Sequence, residues 1–409
     1  MYITRDIERR IATLTQQFFV LLVTGPRQVG KTTLLKHLSE SLDDGRTIVS
    51  LDDLDLRAFA KADPRGFIAH YPPPVLIDEV QYAPVLFDFI KIEVDRRQSC
   101  GDYWLTGSQK FHLMRGVNES LAGRVGILEL GALSQNELYN HFSPPHFDYT
   151  LLTARSRVDS VAPLDKEGMF QRTFLGGMPR VHVVKDLDLK VFFDGYKKTY
   201  IERDVTLIDP DIDTVGFLDF LPVVAARNAQ LLNVDGIARD ARITGAQARK
   251  WLEVLEALGI IYYVRPYSNN LLTRTVKTPK LYFFDTGMLC DLLNIHSVGE
   301  LIASNAAPAV FENYLINQLS LSRTNSAYPS DLYYYRDYDA REIDWVEIDG
   351  EGVHPIEIKE TTDPSPHLVR PFRSLDKGSV VRGKGAIVSN SPDVVLLENR
   401  TVTLPAWCV

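Results

Sequence analysis

Cysteine is scarce in this chain: Cys100, Cys290 and Cys408 lie far apart and form no CxxC pair. Their spacing excludes a disulfide scaffold and gives no sign of a zinc site, which needs clustered thiolates or imidazoles. Long apolar runs are missing as well. None approaches the roughly 18 residues that span a bilayer, and the N-terminus MYITRDIERRIATL is charged from Arg5 onward, unlike a secretory leader. A soluble, cytoplasmic protein with no membrane partner is expected. The chain also lacks net positive charge. At −8 it is unsuited to coating nucleic acid non-specifically, although a local basic face is still allowed.

What the sequence does contain is enough apolar material for several cores. At 409 residues and 45% hydrophobic content, with roughly 100 to 200 residues per domain, three segments are expected, at 1–182, 183–290 and 291–409.

The first segment opens with the apolar run Phe18 to Val23, turns through Gly25 and Gly30, and continues with helical spacing at Leu34, Leu35 and Leu38. This strand–loop–helix carries GxxxxGK[ST] as Gly25, Pro26, Arg27, Gln28, Val29, Gly30, Lys31 and Thr32, followed by Thr33. Glycines there let backbone N–H groups approach a polyphosphate at a helix N-terminus, Lys31 supplies charge to the β and γ phosphates, and Thr32 can ligate Mg²⁺. A second strand, VLI, ends in Asp78 and Glu79. Asp78 suits the Mg²⁺ shell and Glu79 the polarising of an attacking water. The strand in DYWLTGSQ ends in Thr106, Ser108 and Gln109, where a sensor of the γ phosphate can sit. ATP and Mg²⁺ are the cofactors expected. RTIVSLDD and VGILEL supply two more strands of an open parallel sheet.

The stretches GPRQVGKTT, VLIDEVQ, LTGSQ, ESLAGRV and GGMPR resemble the AAA-like ATPases that bacteria and archaea often carry fused to a C-terminal domain of unknown function. The resemblance covers nearly the whole chain. It implies an α/β fold of the P-loop ASCE type, with the sensor strand between the two nucleotide-motif strands. A transition-state arginine is not fixed by spacing: Arg124, then Arg203, then Arg180 are the candidates, each equally readable as a structural ion-pair partner. Residues 143–165, rich in Pro, Ser and His, read as an exposed insertion or lid.

In the middle segment, 187–208 reads as a helical connector. Beyond it come a helix, a turn near Ile243, a second helix with Ala248, Trp251, Leu252, Leu255 and Leu258 on its buried stripe, and two β-rich runs, IIYYVRPY and PKLYFFD, around a polar tip at 268–270. This is a winged-helix pattern. Residues 227–281 hold nine basic and four acidic residues, including Lys280, a local excess of five in an otherwise acidic chain. DNA is the expected partner, through Gln247, Arg249 and Lys250, with protein docking as the alternative.

The third segment reads as a helix around Glu312, three strands, a helix near Val369 to Leu375 and a strand in KGAIVSN. That order looks like the PD-(D/E)XK nuclease core. Glu357 and Lys359 share one face of a strand, and Asp344 lies thirteen residues before Glu357, where that fold expects its first ligand. Glu312, Asp344 and Glu357 are the expected metal ligands, with Lys359 assisting a water and the polar face free of the core. The alternative is a relic of that fold inside a nucleotide-gated switch or protein-binding scaffold, antitoxin-like or chaperone-like. Self-association stays open.

Overall fold

The computed structural model describes residues 2–108, 120–267, 278–326, 331–337, 341–377, 380–398 and 400–409. Gln109, the polar tip at 268–270, and Arg274 and Lys277 of the basic count lie outside them. The chain forms two compact units, 1–132 with 257–259, and 133–256 with 260–409. This division differs from the three expected segments. Among the described residues no helix is long and apolar enough to cross a membrane.

The first unit is built on a five-stranded parallel sheet: β1 (Val20–Thr24), β2 (Thr47–Ser50), β3 (Val75–Asp78), β4 (Tyr103–Gly107) and β5 (Val125–Glu129), in the order β2-β3-β4-β1-β5. Every residue of β1, β3 and β4 is buried, which explains their unbroken apolar runs: parallel strands are covered on both faces and show no alternation. Leu22, Ile77 and Leu105 join Phe67, Phe87 and Ile90 in one core. The sensor strand β4 does lie between β1 and β3. All strands run the same way, so the polar residues after β1, β2, β3 and β4 gather at one edge of the sheet.

The second unit begins with helices. Residues 143–165, expected as an exposed insertion or lid, keep exposed positions such as Leu152 but are anchored to the fold. Helix Leu151–Ser160 is capped by Thr150, and buried Arg157 donates to the carbonyls of Pro144, Pro145, His146 and Cys408, tying the segment to the chain's end. The GGMPR stretch is fixed by packing: Gly176 has φ +66°, and a Cβ there would lie 2.6 Å from Asp285 Oδ2, which also accepts the Gly177 N–H at 2.8 Å.

Helices Val234–Asp240 and Gly245–Ala257 follow one another across the turn near Ile243, and Thr244 Oγ1 accepts the Gln247 N–H. Trp251 stands edge-on to Phe217 and Phe220, centroids 5.6 and 5.3 Å away, so the stripe buries against helix Thr214–Ala225. Leu258 is only half-buried, one residue past the helix end.

Strands β6 (Ile261–Pro266) and β7 (Lys280–Phe283) pair antiparallel as the expected hairpin. They are also the edge of an eight-stranded sheet completed by β8 (Asp331–Arg336), β9 (Glu342–Asp349), β10 (Gly352–Lys359), β11 (Gly385–Ser389), β12 (Leu396–Leu397) and β13 (Thr401–Pro405), in the order β12-β13-β11-β10-β9-β8-β6-β7. The parallel join of β6 to β8 at Arg265 and Pro266 merges the expected wing with the third segment. Helix Ala307–Ser326, β8, β9, β10, the 3₁₀ helix Pro366–Lys377 and β11 follow in the expected order.

Candidate functional site

In the first unit the loop between β1 and helix Lys31–Leu42 is held by backbone conformation. Gly25 has φ +140°, Gln28 +62° and Gly30 +94°, and a Cβ on Gly25 would come within 2.1 Å of the Leu130 carbonyl oxygen. Only glycine fits there. No side chain caps the N-terminus of the helix, so its first N–H groups and its dipole are available to an anion. Lys31 is 5% exposed, and its Nζ donates to the Gly25 and Pro26 carbonyls at 2.9 and 2.7 Å. The buried Val29 carbonyl accepts from Arg5 at 3.0 Å. Thr33 is exposed.

The strand ends deliver the acidic pair. Asp78 Oδ1 accepts from Thr32 Oγ1 at 2.5 Å and from Thr106 Oγ1 at 2.6 Å, while Oδ2 accepts from Ser50 Oγ at 3.0 Å. Thr32 and Asp78 are thus the hard oxygen donors that fit Mg²⁺ beside a phosphate. Glu79 follows in the left-handed region, φ +56°, a rare conformation for a residue with a Cβ and one that concentrates at functional sites. Its N–H donates to Thr106 Oγ1 at 3.0 Å. Gln81 donates to the Glu79 carboxylate, Ser108 Oγ lies 3.5 Å from it, and the Arg27 guanidinium is 4.0 Å away. Arg27 also donates to the Tyr82 hydroxyl at 3.2 Å. Sequence reasoning missed Ser50 and Gln81. Ser50 is the last residue of β2, in RTIVS, and Gln81 lies in the 3₁₀ turn Val80–Tyr82 just after β3, in VLIDEVQ; closeness to a C-terminal strand end was their signal.

Arg124 is not brought to this cluster within its own chain. It directly precedes β5, where its carbonyl accepts the Val20 N–H, whereas the loop follows Thr24 at the other end of β1. Five strand residues, about 16 Å, separate the two ends. Its guanidinium binds Asp95 at 2.6 and 3.1 Å, the structural ion pair that was its alternative. Arg203 is exposed, 3.6 Å from Asp204, and Arg180 is exposed on the short helix Pro179–Val183.

The second unit assembles another cluster from three pairs two residues apart, each pair sharing a strand face: Lys280 and Tyr282 on β7, Glu342 and Asp344 on β9, Glu357 and Lys359 on β10. Asn313 docks helix Ala307–Ser326 on β7 by bonding both backbone groups of Phe283 at 2.8 Å, which places Glu312 over that face. Lys280 Nζ lies 2.5 Å from Glu342, 3.1 Å from Glu312 and 3.8 Å from Asp344. Tyr282 donates to Glu312 at 2.7 Å. Lys359 Nζ lies 2.8 Å from Glu357 and 3.2 Å from Asp344, and Asp344 Oδ2 also accepts the Ile358 N–H at 2.9 Å. Asp344 and Glu357 are buried, so the polar face expected to be free of the core is enclosed.

Burial first, then the neighbouring Asp344 carboxylate, raises Glu312 to about 7 and Glu357 to about 8, with Lys280 and Lys359 pulling the other way. Burial alone would lower both lysines, yet the surrounding carboxylates hold them above the ordinary lysine value. The three expected metal ligands are therefore in one place, but the group joining Glu312 to Asp344 is an ammonium. As they stand they do not fit a divalent ion, and among the described residues no set of three or more His, Cys, Asp or Glu side chains is arranged to hold one. Lys280 was counted among the nine basic residues of 227–281. It is 2% exposed, and it, Tyr282 and Glu342 are the members that sequence reasoning missed.

Of the DNA candidates, Arg249 is exposed and Gln247 half-buried, while Lys250 pairs with Asp209 at 2.6 Å.

Residues 17–139 match a family model described as an AAA domain, and residues 166–298 and 308–409 match two families described only as domains of unknown function. Uncharacterized proteins of Mycobacterium tuberculosis and Mycobacterium bovis are each 29% identical over 380 residues, covering 90% of this chain and 76% of theirs. Among solved structures, the Thermotoga maritima RuvB Holliday junction branch migration motor aligns at 17% identity over 64% of this chain and 89% of its own, with a TM-score of 0.29. AMPPCP-bound DnaA from Aquifex aeolicus aligns at 14% over 61% and 85%, with a TM-score of 0.28. Neither structural likeness is close enough to carry an argument. The loop motif, the strand order and the family match together make residues 17–139 an AAA-like P-loop ATPase domain.

Proposed function

We propose that the chain hydrolyses ATP in the cytoplasm, with Lys31 on the phosphates, Thr32 and Asp78 holding Mg²⁺, Ser108 sensing the γ phosphate and Glu79 polarising water, and that this cycle acts on DNA. The observation that carries the hydrolysis is the convergence of Thr32, Ser50 and Thr106 on Asp78, with Glu79 beside it. Such a constellation orients a cation and a nucleophile rather than merely a phosphate. A transition-state arginine would come from a second copy of the chain.

DNA is placed at the helix–turn–helix. Arg239, Arg242, Arg249 and Lys250 are exposed there and Arg265 on β6, and Gln247 and Arg249 lie in the first turns of the second helix, where base and phosphate contacts are made. Arg249→Ala combined with Lys250→Ala should weaken duplex binding and lower the salt slope by about one unit per lost phosphate contact. Unchanged binding would reassign the element to protein docking.

Metal-dependent cleavage by Asp344, Glu357 and Lys359 in a PD-(D/E)XK-like unit draws support from the element order, but it would need Lys280 out of the cluster. The bridging position of Lys280 favours a second reading, in which that unit is catalytically silent and nucleotide controls partner binding. A plasmid-nicking assay with Mg²⁺ or Mn²⁺ separates the two, because only the first predicts product.

A further inference from the structure

We propose that Lys280 is the resident cation of the Glu312, Glu342, Asp344 and Glu357 cluster, which becomes a site for a hard divalent cation only when the Lys280 ammonium is removed. Three observations meet here. The ammonium touches carboxylates from helix Ala307–Ser326 and from β9, at 2.5, 3.1 and 3.8 Å, and its side chain is 3% exposed. Its backbone is fixed on both sides, by pairing with Val264 of β6 and by a bridge to Leu231, so the charge is delivered to one spot. The Glu357 carboxylate is buried beside Lys359, and its Oε2 has no hydrogen-bond partner among the described residues, an acceptor the lysines leave unused.

A divalent cation needs several of these oxygens at 2.0 to 2.6 Å. An ammonium already seated against three of the four carboxylates both occupies those oxygens and repels a second cation. Removing it leaves the four carboxylates facing Lys359, which lies on Asp344 and Glu357, and Arg336, which lies 3.2 Å from Glu342, an excess of negative charge that a divalent cation can offset. Oxygen ligands select Mg²⁺ or Mn²⁺ over softer metals. This inference is independent of the ATPase reading, since no P-loop residue enters it.

The test counts Mn²⁺ bound by the full, nucleotide-free chain, so that any ion at Thr32 and Asp78 is common to all samples. Lys280→Met should bind one Mn²⁺ more per chain than wild type and melt higher with Mn²⁺ than without. The extra ion should vanish when Asp344→Asn is added, and Lys280→Arg, which keeps the charge, should not gain it. No gain in Lys280→Met overturns the proposal. Should Lys280→Met fail to fold, the wild type decides: equal Mn²⁺ binding by wild type and Asp344→Asn supports the proposal, and a wild-type ion lost in Asp344→Asn overturns it.

Discussion

Asp78 is the residue on which stability and chemistry can be separated. Its carboxylate is 5% exposed and accepts three hydroxyls, from Thr32, Thr106 and Ser50. Asp78→Ala removes all three acceptor contacts and strands Thr106, which is fully buried. Bonds to a charged acceptor contribute roughly 1.5 to 3 kcal/mol each, but three sharing one group do not add, so about 3 kcal/mol is expected for the set. Asp78→Asn keeps one carbonyl oxygen and should lose roughly half as much. At about 3 °C per kcal/mol for a unit of this size, the shifts are roughly 10 °C and 5 °C. Calorimetry on the full chain reads them in the transition assigned to the first unit, identified as the one that ATP raises in the wild type. Both variants should lose Mg²⁺-dependent turnover, since neither offers a charged oxygen beside Thr32. An Asp78→Ala chain as stable as wild type, or an asparagine variant less stable than alanine, would refute the hydroxyl network as described.

Two further expectations follow from local geometry. Gly25→Ala must move the Leu130 carbonyl, 2.1 Å from the new Cβ, and accept φ +140°, so about 3 kcal/mol of stability and most ATP affinity should be lost, read by urea melts and nucleotide titration. Glu312 and Glu357 are raised to about 7 and 8 from 4.5, so the folded state keeps protons that the unfolded chain has released. Their contribution is full below about pH 4.5 and is lost as pH rises through 7 to 8. The melting temperature of the second unit should therefore fall from pH 6 to 9, and Glu312→Gln should flatten that slope. An unchanged slope would remove Glu312 as its source.

The nucleotide site was legible because its chemistry is local: loop, lysine and acidic pair each sit within a few residues of a strand end. Where Arg124 sits relative to the cluster of its own chain was not legible, for the converse reason. Spacing does not say which end of a parallel strand a flanking arginine occupies, and this one precedes β5 while the loop follows β1. The cluster in the second unit was half legible. Asp344, Glu357 and Lys359 lie on one hairpin, but Lys280 arrives from β7, brought near by the β6–β8 join that makes the expected wing part of the same sheet. A charge count cannot see that Lys280 is buried or that Lys250 is paired with Asp209. Residues 143–165 read as a lid because their anchor, Arg157, bonds the carbonyl of Cys408, 251 positions away.

The central claim is that the first unit hydrolyses ATP with Glu79 as the water-polarising group, and ATP binding and turnover measured side by side test it most directly. Wild type should bind and hydrolyse Mg²⁺-ATP, Lys31→Ala should do neither, and Glu79→Gln should bind as wild type while turnover falls by roughly two to three orders of magnitude. Wild-type turnover in Glu79→Gln, or no ATP binding by the wild type, would contradict the account.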